Sequence, residues 1–339
     1  MSSRDDGGRR PAILVDGLNV LYRGAFAMLH GGTGLSVALD GEETATGAAY
    51  RMLRTLVEVA ASYGALPVVC WDPIGGRESL VRHKRCKDYK AGREPKNELD
   101  RDFHREVHDQ RRLLNDLLIK MGVWQAVATK GWEADDVIAT LARRLHRGGP
   151  VFILSNDKDM LPLIQLDGVS VINIGSKKAQ PGERYERRDR AWWDEKYPDT
   201  APGQWLQMRA LMGDRSDGIA GVKGIGEVWA YKLIRAYGNA VTAVDFAESI
   251  EADDGTSTGH LSGPLKTAKG VRKKLLGQRP TVESALDLLK LNEKAPFTWY
   301  DREHDRKAAT RELRRLRFKS FLAGTLRRQF ADLLAACAA

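Results

Sequence analysis

The sequence contains few cysteines and no long apolar segment. Cys70, Cys86 and Cys337 are too few and too scattered for a disulfide framework or a zinc site, and they fit a reducing compartment. No apolar run approaches the roughly 20 residues of a membrane helix. The polar start of the chain lacks the apolar centre of a signal peptide. We therefore expect a cytoplasmic protein without membrane contact, whose residues 1–10 form a disordered tail.

The sequence also lacks the phosphate-binding loop pattern Gly-x-x-x-x-Gly-Lys-Ser/Thr, which argues against a nucleotide hydrolase of that class. Positive charge, in contrast, is in excess. There are 54 Lys and Arg residues against 45 Asp and Glu residues, a formal net charge of +9. A basic protein often binds a polyanion, most commonly nucleic acid. A well-solvated basic surface is the alternative, and the total charge does not distinguish the two.

Short apolar runs alternate with helix-like segments in the first half of the chain. The apolar runs have the length of strands and cover residues 12–16, 67–72, 123–127, 151–154 and 169–174. Helical periodicity predicts helices over 46–63, 99–121, 133–145, 204–212, 227–237 and 310–334. Residues 251–263 resemble a flexible insertion. Strands separated by helices predict an α/β fold with a central, mainly parallel sheet flanked by helices.

Acidic residues follow several of these predicted strands. Asp16, Asp72 and Asp157 come at or just after the ends of three apolar runs. Ligands of parallel sheets gather at the carboxyl ends of the strands, so we expect these three side chains to meet at one edge. The other acids of the predicted cluster are Glu133, Asp135, Asp136, Asp159, Asp214 and Asp217.

The acids have a structural and a functional interpretation. Taken singly, each could cap a helix or complement the helix dipole in a first turn. Taken together, so many carboxylates at one edge would repel one another without a cation. No His or Cys accompanies them, and an all-oxygen ligand set suits Mg²⁺ or Mn²⁺. Two such ions about 4 Å apart are a standard device for phosphodiester hydrolysis, so we predict two Mg²⁺ ions, with Mn²⁺ as a substitute.

The order and spacing of these motifs resemble the 5′ nuclease family over residues 12–238. That family includes bacteriophage 5′ exonucleases, the exonuclease domains of bacterial DNA polymerase I and flap endonucleases. The resemblance implies a PIN-like nuclease domain over 11–201, with a helical arch at about 77–121. It also implies a helix–three-turn–helix DNA-binding region over 202–290. We expect residues 291–339 to form a C-terminal helical extension.

The resemblance also assigns roles to the acids. The first metal would be held, directly or through waters, by Asp16, Asp72, Glu133, Asp135 and Asp136. The second metal site would consist of Asp157, Asp159, Asp214 and Asp217. Gly218 stands where the family commonly has Asn after the last acidic pair, and this departure removes no ligand.

The basic segment 82–93 resembles the base of the family's arch. Lys90 and Arg93 match a basic pair that the family places against the scissile phosphate, where fixed cations stabilise developing charge. Arg82 and Lys84 are further candidate DNA contacts. A solvated basic face is the alternative for the whole run. Tyr89 either stacks on a nucleobase or is a core aromatic.

A glycine-rich turn follows the last acidic pair. Gly221, Gly224 and Gly226 would let the backbone approach phosphates, next to the free amide groups of the following helix. Lys223 and Lys232 could add phosphate contacts. The resemblance implies that this turn holds the duplex backbone with a bound K⁺; a simple tight turn is the alternative.

Arg23, seven residues after Asp16, matches an arginine with which the family contacts substrate. A helix-surface arginine with no substrate role is the alternative.

Together these features predict a metal-dependent, structure-specific 5′ nuclease with 5′-3′ exonuclease and flap endonuclease activity in DNA replication or repair. The expected substrates are DNA with 5′ ends, flaps or branches, and RNA–DNA primers if primer removal is its task. We expect a monomer. Two alternatives stay open: a non-catalytic branched-DNA-binding protein, and a PIN-type ribonuclease with RNase H-like primer removal.

Overall fold

The computed structural model of the chain describes residues 10–31, 35–75, 77–175, 185–252 and 263–338. The predicted tail at 1–10 lies outside the described residues except for Arg10, and most of the predicted insertion at 251–263 also lies outside them. Within the described ranges, no helix is both long enough and apolar enough to cross a bilayer.

In the part of the chain that the structure describes, nine strands form two sheets. They are β1 (Ala12–Asp16), β2 (Ser36–Leu39), β3 (Glu42–Ala45), β4 (Leu66–Trp71), β5 (Trp124–Ala128), β6 (Val151–Leu154), β7 (Val169–Asn173), β8 (Glu186–Arg188) and β9 (Phe297–Trp299). Strands β2 and β3 form a separate hairpin. The large sheet has the order β8-β7-β6-β1-β4-β5-β9. Its five inner strands are parallel, and both edge strands are antiparallel, as the prediction of a mainly parallel sheet requires.

Thirteen α-helices accompany the sheets in the described ranges. They are α1 (Gly17–Gly31), α2 (Gly47–Tyr63), α3 (Val81–Arg85), α4 (Glu98–Lys120), α5 (Ala134–Leu145), α6 (Arg190–Lys196), α7 (Trp205–Met212), α8 (Glu227–Tyr237), α9 (Ala240–Ala252), α10 (Lys269–Leu275), α11 (Arg279–Leu289), α12 (Arg306–Arg315) and α13 (Gly324–Ala338). The predicted helices up to residue 237 are confirmed to within one residue at each end.

The prediction of one amphipathic helix over 310–334 is wrong. The segment forms α12 and α13, separated by Arg317 in a left-handed conformation (φ 57°) and a 3₁₀ turn at Lys319–Leu322. The break turns Phe318 and Phe321 into the core, where they are 2% and 0% exposed. Burial of these two rings offsets the strain of the interrupted helix.

The two faces of the large sheet are covered by different helices. Side chains of β1 alternate between the faces: Ile13 and Val15 belong to one buried cluster, and Leu14 belongs to the other. Helices α1, α2, α4, α12 and α13 contribute to the first cluster. Helix α5 and the helical region α7–α11 contribute to the second.

The C-terminal segment adds one strand to the large sheet and packs two helices against the helices that cover it. Strand β9 pairs antiparallel with β5, so that Ala126 lies opposite Trp299. Helix α12 packs on α4, and α13 packs on α2. The segment between α11 and β9 therefore connects the helical region α7–α11 to the large sheet. It lies close to the edge where β6, β1 and β4 end.

Candidate active site

Four acids from different elements lie together at the carboxyl edge of the sheet. Asp16 is the last residue of β1, Asp72 directly follows β4, Asp135 lies in the first turn of α5, and Asp157 follows β6. Burial, and then the neighbouring charges of Asp72 and Asp157, raise the pKa of Asp16 to about 7. The strand-end acids therefore meet in space, as their places in the sequence predict.

The same crowding acts on the other acids. Burial, followed by Asp16 and Asp157, raises the pKa of Asp135 well above its ordinary value. Burial also raises the pKa of Asp72, Lys90 partly offsets this, and Glu133 adds to it. Carboxylates held this close carry a surplus of negative charge that a cation would offset.

Several of these acids also cap helices, so the structural interpretation holds as well. One oxygen of Asp16 accepts a hydrogen bond from Asn19 N at 3.2 Å in the first turn of α1. Asp72 accepts from Ala134 N at 2.9 Å at the start of α5. Asp157 accepts from Asp159 N at 2.8 Å. Capping fixes each carboxyl group at a helix start, which positions it for the cluster.

A second acidic group lies beside the first, at the start of the helical region. Arg209 on α7 donates to Asp159 at 3.0 Å and also pairs with Asp214. Burial, then Asp157, raises the pKa of Asp159 to about 7, although Arg209 opposes this. Burial would also raise the pKa of Asp214. Hydrogen bonds from Ser216 and Arg209 outweigh burial there, so the pKa of Asp214 is lowered. Asp217 is buried and pairs with Arg93.

Lys90 and Arg93 project from the loop before α4 into the two acidic groups. Lys90 Nζ pairs with Glu133, and Arg93 pairs with Asp217. Despite its burial, Glu133 has a lowered pKa because of Lys90 and then Arg82. The side chain of Arg93 remains 50% exposed. Both predicted catalytic cations thus reach the acidic edge.

Two predicted DNA contacts in this segment are wrong. Tyr89 is 4% exposed and donates its hydroxyl hydrogen to Glu133 at 2.9 Å, so it is a core aromatic and presents no ring face for stacking. Arg82 is 9% exposed and pairs with Glu133 and Asp136. Both side chains are turned inward because the loop must satisfy the buried carboxylates. Lys84 is exposed, as a DNA contact requires.

The prediction of Asp136 as a metal ligand also needs correction. Asp136 is 0% exposed, and its two oxygens accept hydrogen bonds from Arg82 at 2.6 and 2.7 Å. Further donors to the same carboxylate are Glu133 N at 3.2 Å and Asn292 N at 2.9 Å. Its lone pairs are therefore used inside the protein.

A divalent cation fits the remaining acids by donor chemistry. Within the described residues, no group of three or more Asp, Glu, His or Cys side chains is arranged as a complete metal site. Glu133, Asp159, Asp214 and Asp217 face the basic groups described above. The raised pKa values of Asp16, Asp72 and Asp135 mark the place where positive charge would stabilise the site most.

The glycine turn lies at the surface between α7 and α8. Gly224 has a φ of 80° and is exposed, as is Gly226, which directly precedes α8. Gly221 has a packing role, since a Cβ there would clash with the backbone of Met212 and Gly213. Lys274 on α10 donates to Gly224 O at 3.1 Å, so an ammonium group already lies on this turn.

The remaining predicted contacts are basic residues at the surface. Lys223 and Lys232 are exposed near the turn, and Lys232 lies over the Trp229 ring at 5.0 Å. Arg23 is exposed on α1, next to Gly175.

Sequence reasoning missed the structural roles of three residues at the site. Arg209 bridges two acids, yet its sequence context is that of an ordinary helix. Ser155 Oγ donates to Asp16 at 2.9 Å and accepts from Asp157 N at 3.0 Å, a role that its position beside Asp157 could have suggested. At Gly218, with a φ of 69°, a Cβ would strike the Asp88 carbonyl.

Comparisons with known proteins agree with this architecture. The family model of the 5′-3′ exonuclease N-terminal resolvase-like domain matches residues 11–197, and that of the 5′-3′ exonuclease C-terminal SAM fold matches residues 200–312. The flap endonuclease of bacteriophage T5, solved as a pseudo-enzyme-product complex with DNA and metal ions, matches with a TM-score of 0.60 at 21% identity. That match covers 97% of this chain and 100% of the other. At this identity the likeness concerns the fold.

Two curated relatives give closer matches in sequence. The thermostable DNA polymerase I of Thermus aquaticus is 32% identical over 314 residues, which are 91% of this chain and 32% of that protein. A 5′-3′ exonuclease of Halalkalibacterium halodurans is 30% identical over 242 residues, 70% of this chain and 74% of that protein. The chain spans only 24% to 32% of the length of the first polymerases it matches. With both family models matched in order along it, the chain belongs to the 5′-3′ exonuclease family.

Proposed function

We propose that the protein is a structure-specific nuclease that hydrolyses phosphodiester bonds of DNA at 5′ ends, flaps or branches. The observation that carries this proposal is the meeting of buried acids with raised pKa values beside Lys90 and Arg93. A purely structural cluster would gain nothing from unneutralised carboxylates. Membership of the 5′-3′ exonuclease family supports the same activity.

The acids divide into two proposed metal sites, and Mg²⁺ is the proposed ion, with Mn²⁺ as a substitute. The first site consists of Asp16, Asp72, Glu133 and Asp135, without Asp136. The second consists of Asp157, Asp159, Asp214 and Asp217. When bound, two such cations would supply an activated water and neutralise charge on the phosphate and the leaving oxygen. Bound metal ions in the bacteriophage T5 enzyme support this assignment.

Basic residues of the chain would hold the DNA in register. Lys90 and Arg93 would leave their carboxylate partners and contact the scissile phosphate. The exposed turn at Gly224 and Gly226, with Lys223, would contact the duplex backbone, and a K⁺ ion there is part of the proposal. Such contacts carry no base information, so the protein would recognise DNA structure rather than sequence, and binding would weaken steeply with salt.

Cleavage of a 5′-labelled flap duplex in Mg²⁺ tests the proposal. A short labelled product near the junction is expected, and EDTA should abolish it. Asp157→Asn should abolish cleavage while the thermal midpoint stays near that of the wild type. Asp167→Asn is the matched control. Asp167 is an exposed acid between β6 and β7, and its substitution should leave cleavage normal.

The products distinguish the remaining alternatives. Release of mononucleotides would indicate mainly exonuclease action. A flap that is bound but uncut in both Mg²⁺ and Mn²⁺ would contradict the proposal and favour a non-catalytic branched-DNA-binding protein. Faster cleavage of an RNA–DNA primer than of DNA would favour primer removal by a ribonuclease activity. A role in replication or repair, a cytoplasmic location and a monomeric state belong to the same proposal.

A further inference from the structure

Arg82 joins the start of α5 to the end of α11. Its side chain makes five hydrogen bonds, one for each N–H of the guanidinium group. Three go to carboxylates: one to Glu133 at 2.8 Å and two to Asp136 at 2.6 and 2.7 Å. The other two go to the backbone carbonyls of Leu288 at 2.8 Å and Lys290 at 3.0 Å. Every donor is used, and none remains for DNA.

The two backbone contacts are made where α11 ends. The last carbonyl groups of a helix have no partner within the helix and carry the negative end of its dipole. Arg82 therefore caps α11, the last helix of the helical region. The chain continues along α5: Asn292 N donates to Asp136 at 2.9 Å, and Ala295 N donates to Thr140 at 2.9 Å.

The carboxylate contacts reach the acidic edge through Glu133. One oxygen of Glu133 binds Arg82 and the Tyr89 hydroxyl, and the other pairs with Lys90. The orientation of this carboxylate is thus set by groups behind it. A lysine at position 82 would keep the charge but could not span two carboxylates and two carbonyls at once.

We propose that Arg82 is a positioning residue that couples docking of the helical region to the orientation of Glu133 in the acidic cluster. The inference rests on the proposed nuclease function for its activity readout, and on the contacts above for its structural part. When segment 288–295 is docked, Arg82 is held from both sides and fixes Glu133. When the segment lifts, Glu133 loses a partner and the acidic edge loses its geometry.

Two substitutions separate positioning from simple stabilisation. Arg82→Lys and Arg82→Ala should lower kcat on a saturating flap substrate by about 10- to 100-fold, the usual cost of removing a group that orients a metal ligand. KM for DNA should change by less than about twofold, because the DNA-binding surfaces are untouched. Arg85→Met is the matched control, since Arg85 lies on α3 like Arg82 and pairs with Asp287 of α11, but at the surface. It should leave kcat unchanged.

Chemical rescue gives a further readout. Arg82 lines a cavity of about 770 Å³ between α3, the loop before α5 and the segment after α11. Millimolar methylguanidinium should enter this cavity and restore part of the activity of Arg82→Ala, but not that of Asp157→Asn. The assay is run well below the thermal midpoint of Arg82→Ala, so that recovery reflects repositioning of Glu133 and not refolding.

Metal binding tests the inference without catalysis. Titration of the DNA-free protein with Mn²⁺, followed by electron paramagnetic resonance, should show about tenfold weaker binding in Arg82→Lys than in Arg85→Met. Hydrogen exchange of residues 288–295 should be faster in both Arg82 variants. Unchanged kcat and Mn²⁺ affinity together with faster exchange would overturn the proposal and leave Arg82 a purely structural role. If the wild type cuts no substrate, the nuclease proposal fails, and the Mn²⁺ comparison still decides the role of Arg82.

Discussion

Ser155 Oγ donates a hydrogen bond to Asp16 at 2.9 Å, and the two residues come from the ends of the adjacent strands β6 and β1. The hydroxyl favours the charged form of Asp16, but burial and neighbouring carboxylates outweigh it, and the pKa rises to about 7. Bringing these carboxylates together therefore lowers the free energy of unfolding of the metal-free protein.

This cost predicts how stability depends on pH. Asp16 and Asp159 titrate with a pKa of about 7 in the folded protein, whereas an unfolded aspartate titrates near about 3.9. Between these values the folded protein binds more protons than the unfolded chain, so its stability falls as the pH rises. Thermal midpoints in EDTA should therefore be lower at pH 8 than at pH 5, and Mg²⁺ should restore much of the loss at pH 8.

Asp135→Asn provides the control for this effect. The substitution removes a carboxyl group whose own pKa is raised well above its ordinary value by burial and then by Asp16, so the fall in the thermal midpoint between pH 5 and pH 8 should become smaller. Since both proteins contain the same histidines, the difference between them isolates the cluster. A midpoint that is independent of pH, or that falls equally in wild type and variant, would contradict the prediction.

Arg209 should contribute strongly to stability before metal binds. Its side chain and those of its partners Asp159 and Asp214 are each at most 16% exposed. Replacing one member of such a buried pair leaves uncompensated charge, so Arg209→Met should lower the free energy of unfolding by about 3 kcal/mol. Urea denaturation in EDTA would measure this.

Arg235→Met is the comparison for Arg209. Arg235 pairs with Asp199 at the surface, where the two side chains are 51% and 65% exposed. Its removal should cost less than about 1 kcal/mol. Added Mg²⁺ should recover part of the loss in Arg209→Met and none of it in Arg235→Met. Equal effects of the two substitutions would argue against a special role for Arg209.

Gly218 should be irreplaceable because it lets two functional loops touch. It has a φ of 69°, and a Cβ there would strike the carbonyl of Asp88. Lys90 N also donates to Asp217 O at 2.8 Å across this contact. Gly218→Ala should separate the loops, weaken the Arg93 pairing with Asp217 and lower both the thermal midpoint and the rate of flap cleavage.

Gly64→Ala separates the clash from backbone strain. Gly64 has a φ of 59° at the end of α2, and the space that a Cβ would occupy there is open, with no neighbouring atom within 4 Å. Gly64→Ala should lower the free energy of unfolding only by the strain of the left-handed conformation, about 1 kcal/mol, and should leave cleavage unchanged. If Gly218→Ala behaves in the same way, the close approach to Asp88 has no functional importance.

The sequence alone predicted the features whose signal lies in neighbouring residues. The short apolar run at residues 12–15 and the acid at Asp16 predicted β1 and its end at the acidic edge. Strand β9 escaped prediction because its three residues pair with a strand far away in the chain. Arg82 looked like one of a basic surface run, since nothing local shows that its partners are buried carboxylates from α5. Contacts distant in sequence therefore decide which charges reach the solvent.

Lys274 provides the last prediction, on duplex binding. Its ammonium group donates to Gly224 O at 3.1 Å, beside the exposed turn that precedes α8. A phosphate approaching the free amide groups of α8 would also meet this charge. Lys274→Met should weaken duplex binding several-fold and reduce the slope of log affinity against log salt by about 1. Lys319→Met, an exposed lysine between α12 and α13, should leave that slope unchanged. Equal slopes for wild type and Lys274→Met would show that the lysine only caps the turn, and the duplex would then have to be held by Lys223 and its neighbours without it.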